Sequence, residues 1–417
     1  MRKKVKMFVW NTFENDARVM RECTALSEKK FNVNLICLRR GNKHLEKVEN
    51  INDNFSVYRI DDIDFLKISF FLIGLFLTAY FIGYEEGSMF FLLNLLLLKV
   101  GKVKSCINKL WLIFRMFLID SHKCFDVYHA NDLNTLPQAY FQSKILRSKK
   151  LIYDSHEVQT SRTGYNSKLY SYLERFFMRD VDTCIHENIT RAKYTKYLYD
   201  REVEYIYNYP SSYEKRNYPK GKICSTLGIP SDTPILLYQG GIQEGRGLET
   251  IVLAAQYINQ GVIVFIGDGK EKMRLKRLVK ELNVSDRVKF IDKVPYEILR
   301  EYTVDAFLGF QVLENVCFNH YSAASNKLFE YIMAEIPVIA SNFPELARVI
   351  RTNNIGLLVQ PGNAKELAQS INRLIDDSIF YKKCIENCGK AKKKYNWEQE
   401  KLRFLKIYSE SLDEYGR

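Results

Sequence analysis

The sequence predicts an α/β protein made of two parallel-sheet, Rossmann-like domains, and three observations predict it. Short apolar runs of strand length alternate with helix-length segments of 3.6-residue periodicity along most of the chain. The rhythm pauses at a polar stretch near residues 208–222, which holds Pro210 and Pro219, and then restarts. The chain has 417 residues, too many for one ordinary core; 47% are hydrophobic and 27% charged, the composition of a globular chain with material for two cores.

In the first half, residues 5–10 form an apolar run followed by a helical pattern over 17–30 and a second strand over 33–38. Strand–helix–strand with short joints signals a parallel sheet. Further strands are expected over 57–60, 127–130, 151–154 and 183–185. The opening Met1-Arg-Lys-Lys-Val-Lys6 runs straight into Met7-Phe-Val-Trp10, too short for a signal-peptide core, so it reads as the first strand. After the linker, strands are expected over 235–238, 262–266, 288–291, 306–310 and 337–340, each followed by a helical pattern. The domains expected are 1–208 and 209–396.

Residues 65–118 depart from this rhythm. Residues 68–84 carry no charge and 88–98 are nearly all Phe, Leu and Met. A membrane-spanning helix needs roughly 20 apolar residues, about 17 at the least, and Gly74 and Gly83 interrupt the first run. Buried core helices, a transmembrane hairpin and an element lying in the membrane surface all fit. Lys99, Lys102, Lys104, Lys109 and Arg115 flank the second run and favour the membrane-surface reading.

The net charge is +13. Basic residues are dispersed and lack the aromatic interleaving of RNA-binding modules, so an anionic lipid surface or anionic substrate is expected rather than nucleic acid. The nine cysteines are odd in number and scattered, as expected of reduced thiols in the cytoplasm. Cys384 and Cys388 have helical spacing but no neighbouring ligands in sequence, which favours packing over a metal site.

Two constellations carry chemistry. Ser325-Asn-Lys-Leu-Phe-Glu330 opens a helix that ends before Pro337 and a strand; its free N–H groups, with Asn326 and Lys327, favour an anionic phosphate. Glu330, one turn in, is placed to accept hydrogen bonds from a ribose diol; a capped surface helix with an ordinary Lys/Glu pair explains the same residues. The second is Gln239-Gly240-Gly241-Ile-Gln-Glu-Gly245-Arg246-Gly247 at the end of a strand. Its four glycines let backbone approach a ligand, and the Arg246 fork matches phosphate oxygens. It is neither a Walker loop nor a GxGxxG fingerprint. Gly267-Asp-Gly269 is a third turn at the same sheet edge, where a plain turn is equally ordinary.

Together these segments resemble the nucleotide-sugar motifs of glycosyltransferase family 4, retaining enzymes of the GT-B fold. Asn15-Asp-Ala-Arg18, Asp126-Val-Tyr-His129-Ala-Asn-Asp132, Tyr153-Asp-Ser-His156-Glu157 and Asn208-Tyr-Pro210 resemble the polysaccharide-synthesis branch, so the likeness covers nearly the whole chain. The resemblance implies a GT-B architecture with an active-site cleft between the domains. The helix at 397–417 would cross back to the first domain. Arg246 would hold the donor diphosphate, Gly240, Gly241 and Gly267 the close backbone approach, Asn326 and Lys327 the phosphate end of the helix, and Glu330 the ribose. His156 matches a cleft-facing histidine near the transferred sugar, expected here as a neutral imidazole; Asp132 and His129 are weaker candidates. Catalysis would rest on His156, Arg246 and Lys327, with no metal and no cofactor beyond the nucleotide-sugar co-substrate. The acceptor would be lipid-linked or a glycan, and the protein would be cytoplasmic, attached to the inner face of the cell membrane.

The chain departs from the family in two places. Ser322 stands where Glu-x7-Glu places its first glutamate, and Gly241 where a second basic residue often sits. The first puts the donor-sugar contact in question; the second leaves phosphate neutralisation to Arg246 and Lys327. Asp62-Ile-Asp64 has the Asp-x-Asp form that binds metals in other glycosyltransferases, but a solvated loop is the expected reading. A sugar-nucleotide epimerase and a non-catalytic nucleotide-binding scaffold are the alternatives to transfer.

Overall fold

The computed structural model describes residues 2–14, 16–42, 44–84, 100–161 and 168–413. Asn15 and the second apolar run at 88–98 lie outside them. The chain divides into two compact units that interleave in sequence, Met1–His156 with Tyr172–Cys184 and Ser411–Arg417, and Glu157–Ser171 with Ile185–Glu410.

In the first unit, β1 (Lys4–Phe8), β2 (Asn32–Leu38), β3 (Val48–Asn52), β4 (Phe55–Ile60), β5 (Val127–Asn131) and β6 (Lys150–Ser155) lie in the order β3-β4-β2-β1-β5-β6. Pairing is parallel throughout except for the β3–β4 hairpin. Strands β5 and β6 are buried along their whole length, and a parallel strand covered on both faces reads as an unbroken apolar run rather than an alternating one. The helix Ala17–Glu28 begins where the Asp16 side chain accepts from Val19 N, and it buries Val19, Cys23 and Leu26 on one face. Strand order reverses at β1, with β2 and β4 on one side and β5 and β6 on the other. Such a reversal opens a crevice at the strands' carboxyl ends. His156 follows the last residue of β6.

The apolar segment forms the helices Phe65–Phe81 and Gly101–Leu118 within its described part. The second helix buries only Leu112 and Met116. Leu110, Phe114 and Leu118 are exposed, as are Leu77, Tyr80 and, at 81%, Phe81. The described part is therefore mostly apolar surface rather than core. Among the described residues no helix is long and apolar enough to cross a membrane.

The chain passes into the second unit within β7 (Thr183–His186), and β8 (Glu204–Tyr205) pairs parallel with its end, Ile185 opposite Glu204. The sheet of this unit comprises β9 (Ile235–Gln239), β10 (Val262–Ile266), β11 (Val288–Ile291), β12 (Leu308–Gln311), β13 (Val338–Ser341) and β14 (Gly356–Val359), in the order β11-β10-β9-β12-β13-β14. All pairs are parallel. Alternation along β9 divides its side chains between two cores. Leu237 joins Val264, Leu328, Phe329 and Ile332, whereas Leu236 and Tyr238 join Phe265, Ile251 and Leu367. Here the strand order reverses at β9, so the crevice lies at the carboxyl ends of β9 and β12, where the glycine-rich turn begins.

Candidate functional site

In the second unit the two sequence constellations converge. The turn after β9 folds tightly against the turn after β10: Gly240 N donates to Ile266 O at 2.9 Å and Ile242 N to Asp268 O at 2.9 Å. A Cβ at Gly267 would stand 2.0 Å from Gly240 O, so only glycine lets these loops meet. The helix Asn326–Met333 points its N-terminus at the same edge. Its cap residue, Ser325, makes no side-chain cap hydrogen bond. Leu328 N donates to Ser325 O at 3.1 Å, and Asn326, exposed, and Lys327 carry the earlier N–H groups of the turn, which the cap side chain leaves to other acceptors.

Lys327 lies buried against Gly240, where an added Cβ would come within 3.3 Å of its Cδ. Its Nζ donates to Tyr238 Oη at 3.2 Å and stands 4.3 Å from the centre of that ring. Burial lowers the Lys327 pKa to about 7; Arg246 pushes the same way and Glu330 opposes. Arg246 and Glu330, from different elements, thus both bear on one ammonium group. Glu330 is further held by Gln239, whose Nε2 donates to its Oε2 at 2.7 Å, while Gln239 Oε1 accepts from Thr303 at 2.8 Å. Gln239 opens the glycine-rich constellation in the sequence and Tyr238 closes the strand before it, but the sequence reading gives neither a role, although a polar residue ending the apolar run Ile235-Leu-Leu is a visible signal.

Ser322 is fully buried. Its hydroxyl accepts from Arg191 Nε at 3.0 Å and donates to Phe318 O at 2.7 Å, and the Arg191 guanidinium also reaches Asn319 O and Glu187. Ser322 is thus tied into packing. Cys384 and Cys388 are buried, and burial pushes both thiols up, Cys384 to about 11; they serve the core. Asp62 accepts from Asn108 Nδ2 at 2.7 Å and joins loop to helix.

The first unit gathers a second cluster at the carboxyl ends of β5 and β6. Arg18 pairs with Asp154 at 2.7 Å and with Glu22 at 3.0 Å. His156 Nε2 lies 3.2 Å from Asn131 Oδ1 and 3.5 Å from Asp154 Oδ2, and His156 N donates to Asp132 Oδ1 at 3.0 Å. Burial works against charge on His156, but Asp154 and Asp132 outweigh it and lift its pKa to about 9. Both carboxylates favour the charged ring, against the neutral imidazole expected from the sequence. His129, fully buried in the middle of β5, is driven the other way, to about 4, chiefly by burial. Asp132, at φ 63°, receives the His156 amide and shapes the turn. Among the described residues, Glu22, His129 and Asp154 bring possible metal-ligand atoms within 4.8 Å of one another. The Arg18 guanidinium contacts both carboxylates. It holds Asp154 ionised, while burial lifts the Glu22 carboxyl to about 8 and favours its neutral form, so the cluster reads as an internal charge network.

Residues 220–391 match the family model for Glycosyl transferases group 1. The lipopolysaccharide core biosynthesis glycosyltransferase LpsD of Rhizobium meliloti is 27% identical over 220 residues, 51% of this chain and 59% of that protein. An uncharacterized glycosyltransferase of Methanocaldococcus jannaschii is 24% identical over 196 residues, 46% of this chain and 49% of the relative. The chain spans about half the length of the curated relatives it matches. Among solved structures, sucrose-phosphate synthase of Thermosynechococcus elongatus aligns with a TM-score of 0.71 at 19% identity, covering 98% of this chain and 99% of that one. HepE of Anabaena, in complex with UDP and glucose, aligns at 0.70 and 14% identity, covering 98% and 100%. The fold is GT-B, two parallel-sheet α/β domains. With the family match, these likenesses support a place in the GT-B glycosyltransferase superfamily.

Proposed function

We propose that this chain is a retaining glycosyltransferase of family 4 that moves a sugar from a nucleotide-diphosphate donor to a lipid-linked or polysaccharide acceptor. The observation that carries the reading is the meeting of Lys327 and Glu330 with the strand end Tyr238-Gln239-Gly240 at the reversal of the second sheet, within the electrostatic reach of Arg246 and beside a helix N-terminus that the Ser325 side chain does not cap. Cations and free N–H groups there suit a diphosphate, and Glu330 suits a ribose diol. HepE, structurally similar here, binds UDP and glucose, and LpsD takes part in lipopolysaccharide core synthesis; both support this donor and acceptor class.

In the reaction the acceptor hydroxyl oxygen bonds to the sugar's anomeric carbon as the bond to the diphosphate oxygen breaks, and the hydroxyl proton passes to the departing diphosphate. Arg246, Lys327 and the helix N–H groups neutralise the charge that builds on that oxygen, so the reading needs no metal ion. The His156 imidazolium, at the carboxyl end of β6, donates a hydrogen bond to a hydroxyl of the transferred sugar. The exposed apolar side chains of the helices Phe65–Phe81 and Gly101–Leu118, near Lys102, Lys104 and Lys109, would dip into the anionic inner face of the cell membrane.

The test is a transfer assay with a panel of nucleotide sugars, with and without lipid-linked acceptors. The reading expects nucleotide release that depends on acceptor and a product that keeps the donor's anomeric configuration. An isomerised nucleotide sugar formed without acceptor would establish an epimerase instead, and binding without turnover a scaffold.

A further inference from the structure

We propose that Tyr238 is a positioning residue for the donor diphosphate, its hydroxyl tying the glycine-rich turn and the Lys327 ammonium into one preset anion cradle. The inference rests on the donor-site reading above. Tyr238 is fully buried near the end of β9, where a strand feeds directly into Gly240 and Gly241. Its Oη donates to Gly241 O at 2.8 Å and accepts from Lys327 Nζ at 3.2 Å. One phenol thus bridges the two elements that would meet the phosphates.

Both halves of the bridge answer a physical need. Gly240 has a φ of 128°, and two successive glycines leave the turn many conformations to lose on binding a ligand. A hydrogen bond from a rigid, buried ring to the Gly241 carbonyl removes much of that freedom beforehand. On the other side, a buried ammonium requires an acceptor. Lys327 faces Tyr238 from β9, Arg246 from the turn and Glu330 from its own helix. Of these, the phenol supplies a neutral acceptor, and its ring face adds a cation–π contact. Burial lifts the Tyr238 hydroxyl to about 12, so it stays protonated and able to donate and accept at once.

Tyr238→Phe keeps the ring and removes both hydrogen bonds. The probes are UDP-glucose, UDP-N-acetylglucosamine and GDP-mannose, whose diphosphates stay fully ionised between pH 6 and 9; affinity is measured calorimetrically across that range. Wild-type affinity is expected to be level below about pH 7, where Lys327 is charged before the ligand arrives, and to fall as pH rises above it. In Tyr238→Phe, affinity is expected to drop roughly 5- to 30-fold, the effect of losing one or two buried hydrogen bonds. The pH at which affinity begins to fall is expected to move lower, because the ammonium has lost an acceptor. A residue that merely packs would lower melting temperature and leave that pH unmoved. Equal affinity and an unmoved pH in a folded Tyr238→Phe protein would overturn the inference while the donor site stands. Failure of the wild type to bind any of the three probes would overturn the donor site itself. If the Phe variant does not fold, 3-fluorotyrosine at position 238 keeps the shape, weakens the acceptor and must shift the pH profile in the same direction.

Discussion

Gln239 and Glu330 are joined across 2.7 Å, amide to carboxylate, although 91 residues separate them in sequence. The same Gln239 is fixed at its other end by Thr303, so the carboxylate read as the ribose ligand is held in place by a strand-end amide. Gln239→Ala is expected to weaken nucleotide-sugar binding about 5- to 10-fold, near the worth of one hydrogen bond to a charged group. Calorimetric titration checks this. Unchanged affinity would show that Glu330 needs no such support, or no part in binding.

Gly267 faces a harder constraint. An added methyl group would stand 2.0 Å from the Gly240 carbonyl oxygen, a backbone atom that cannot move without shifting the turn. Gly267→Ala is expected to destabilise the protein by more than about 3 kcal/mol and to abolish donor binding with it. Chemical denaturation and titration on one preparation measure both. Full stability in the variant would show that the two turns can part.

The His156 cluster makes a pH-dependent prediction. A histidine lifted in the folded state stabilises the protein below its unfolded pKa, near 6.5, and that stabilisation is lost as pH rises through its folded value, about 9. The stability gap between wild type and His156→Gln is therefore expected to be on the order of 2 kcal/mol at pH 6 and to vanish above pH 9. Denaturant midpoints across that range test it, and a gap independent of pH would mean that the ring is neutral throughout. If His156 also acts on the sugar, His156→Gln lowers kcat at least about 100-fold with donor affinity nearly unchanged.

The exposed side chains of the helices Phe65–Phe81 and Gly101–Leu118 predict binding to vesicles. Sedimentation with phosphatidylglycerol-containing vesicles is expected at low salt, reduced at high salt, and reduced further by replacing Phe81, Leu110 and Phe114 with Asp. Failure to sediment at any salt would end the membrane reading.

Much of the fold was legible because buried parallel strands announce themselves: Ile235-Leu-Leu and Val262–Ile266 are apolar without interruption. Strand β3 was not, since its side chains are largely exposed and carry no pattern. The glycine turns and the Asn326–Met333 helix start stood out by residue type. What sequence could not show was which charges face one another. Arg18, Asp132 and Asp154 are brought to His156 only by folding, and the balance among them bears on the charge of the ring. Ser322 looked like a missing ligand, whereas the fold gives it to Arg191.

The most direct test of the central claim is one titration of the nucleotide-sugar panel into wild type and into Glu330→Ala. The account predicts that one donor binds the wild type with a Kd in the micromolar range, at least about tenfold tighter than it binds the variant. Equal affinity of both proteins, or no binding to a folded wild type, would contradict it.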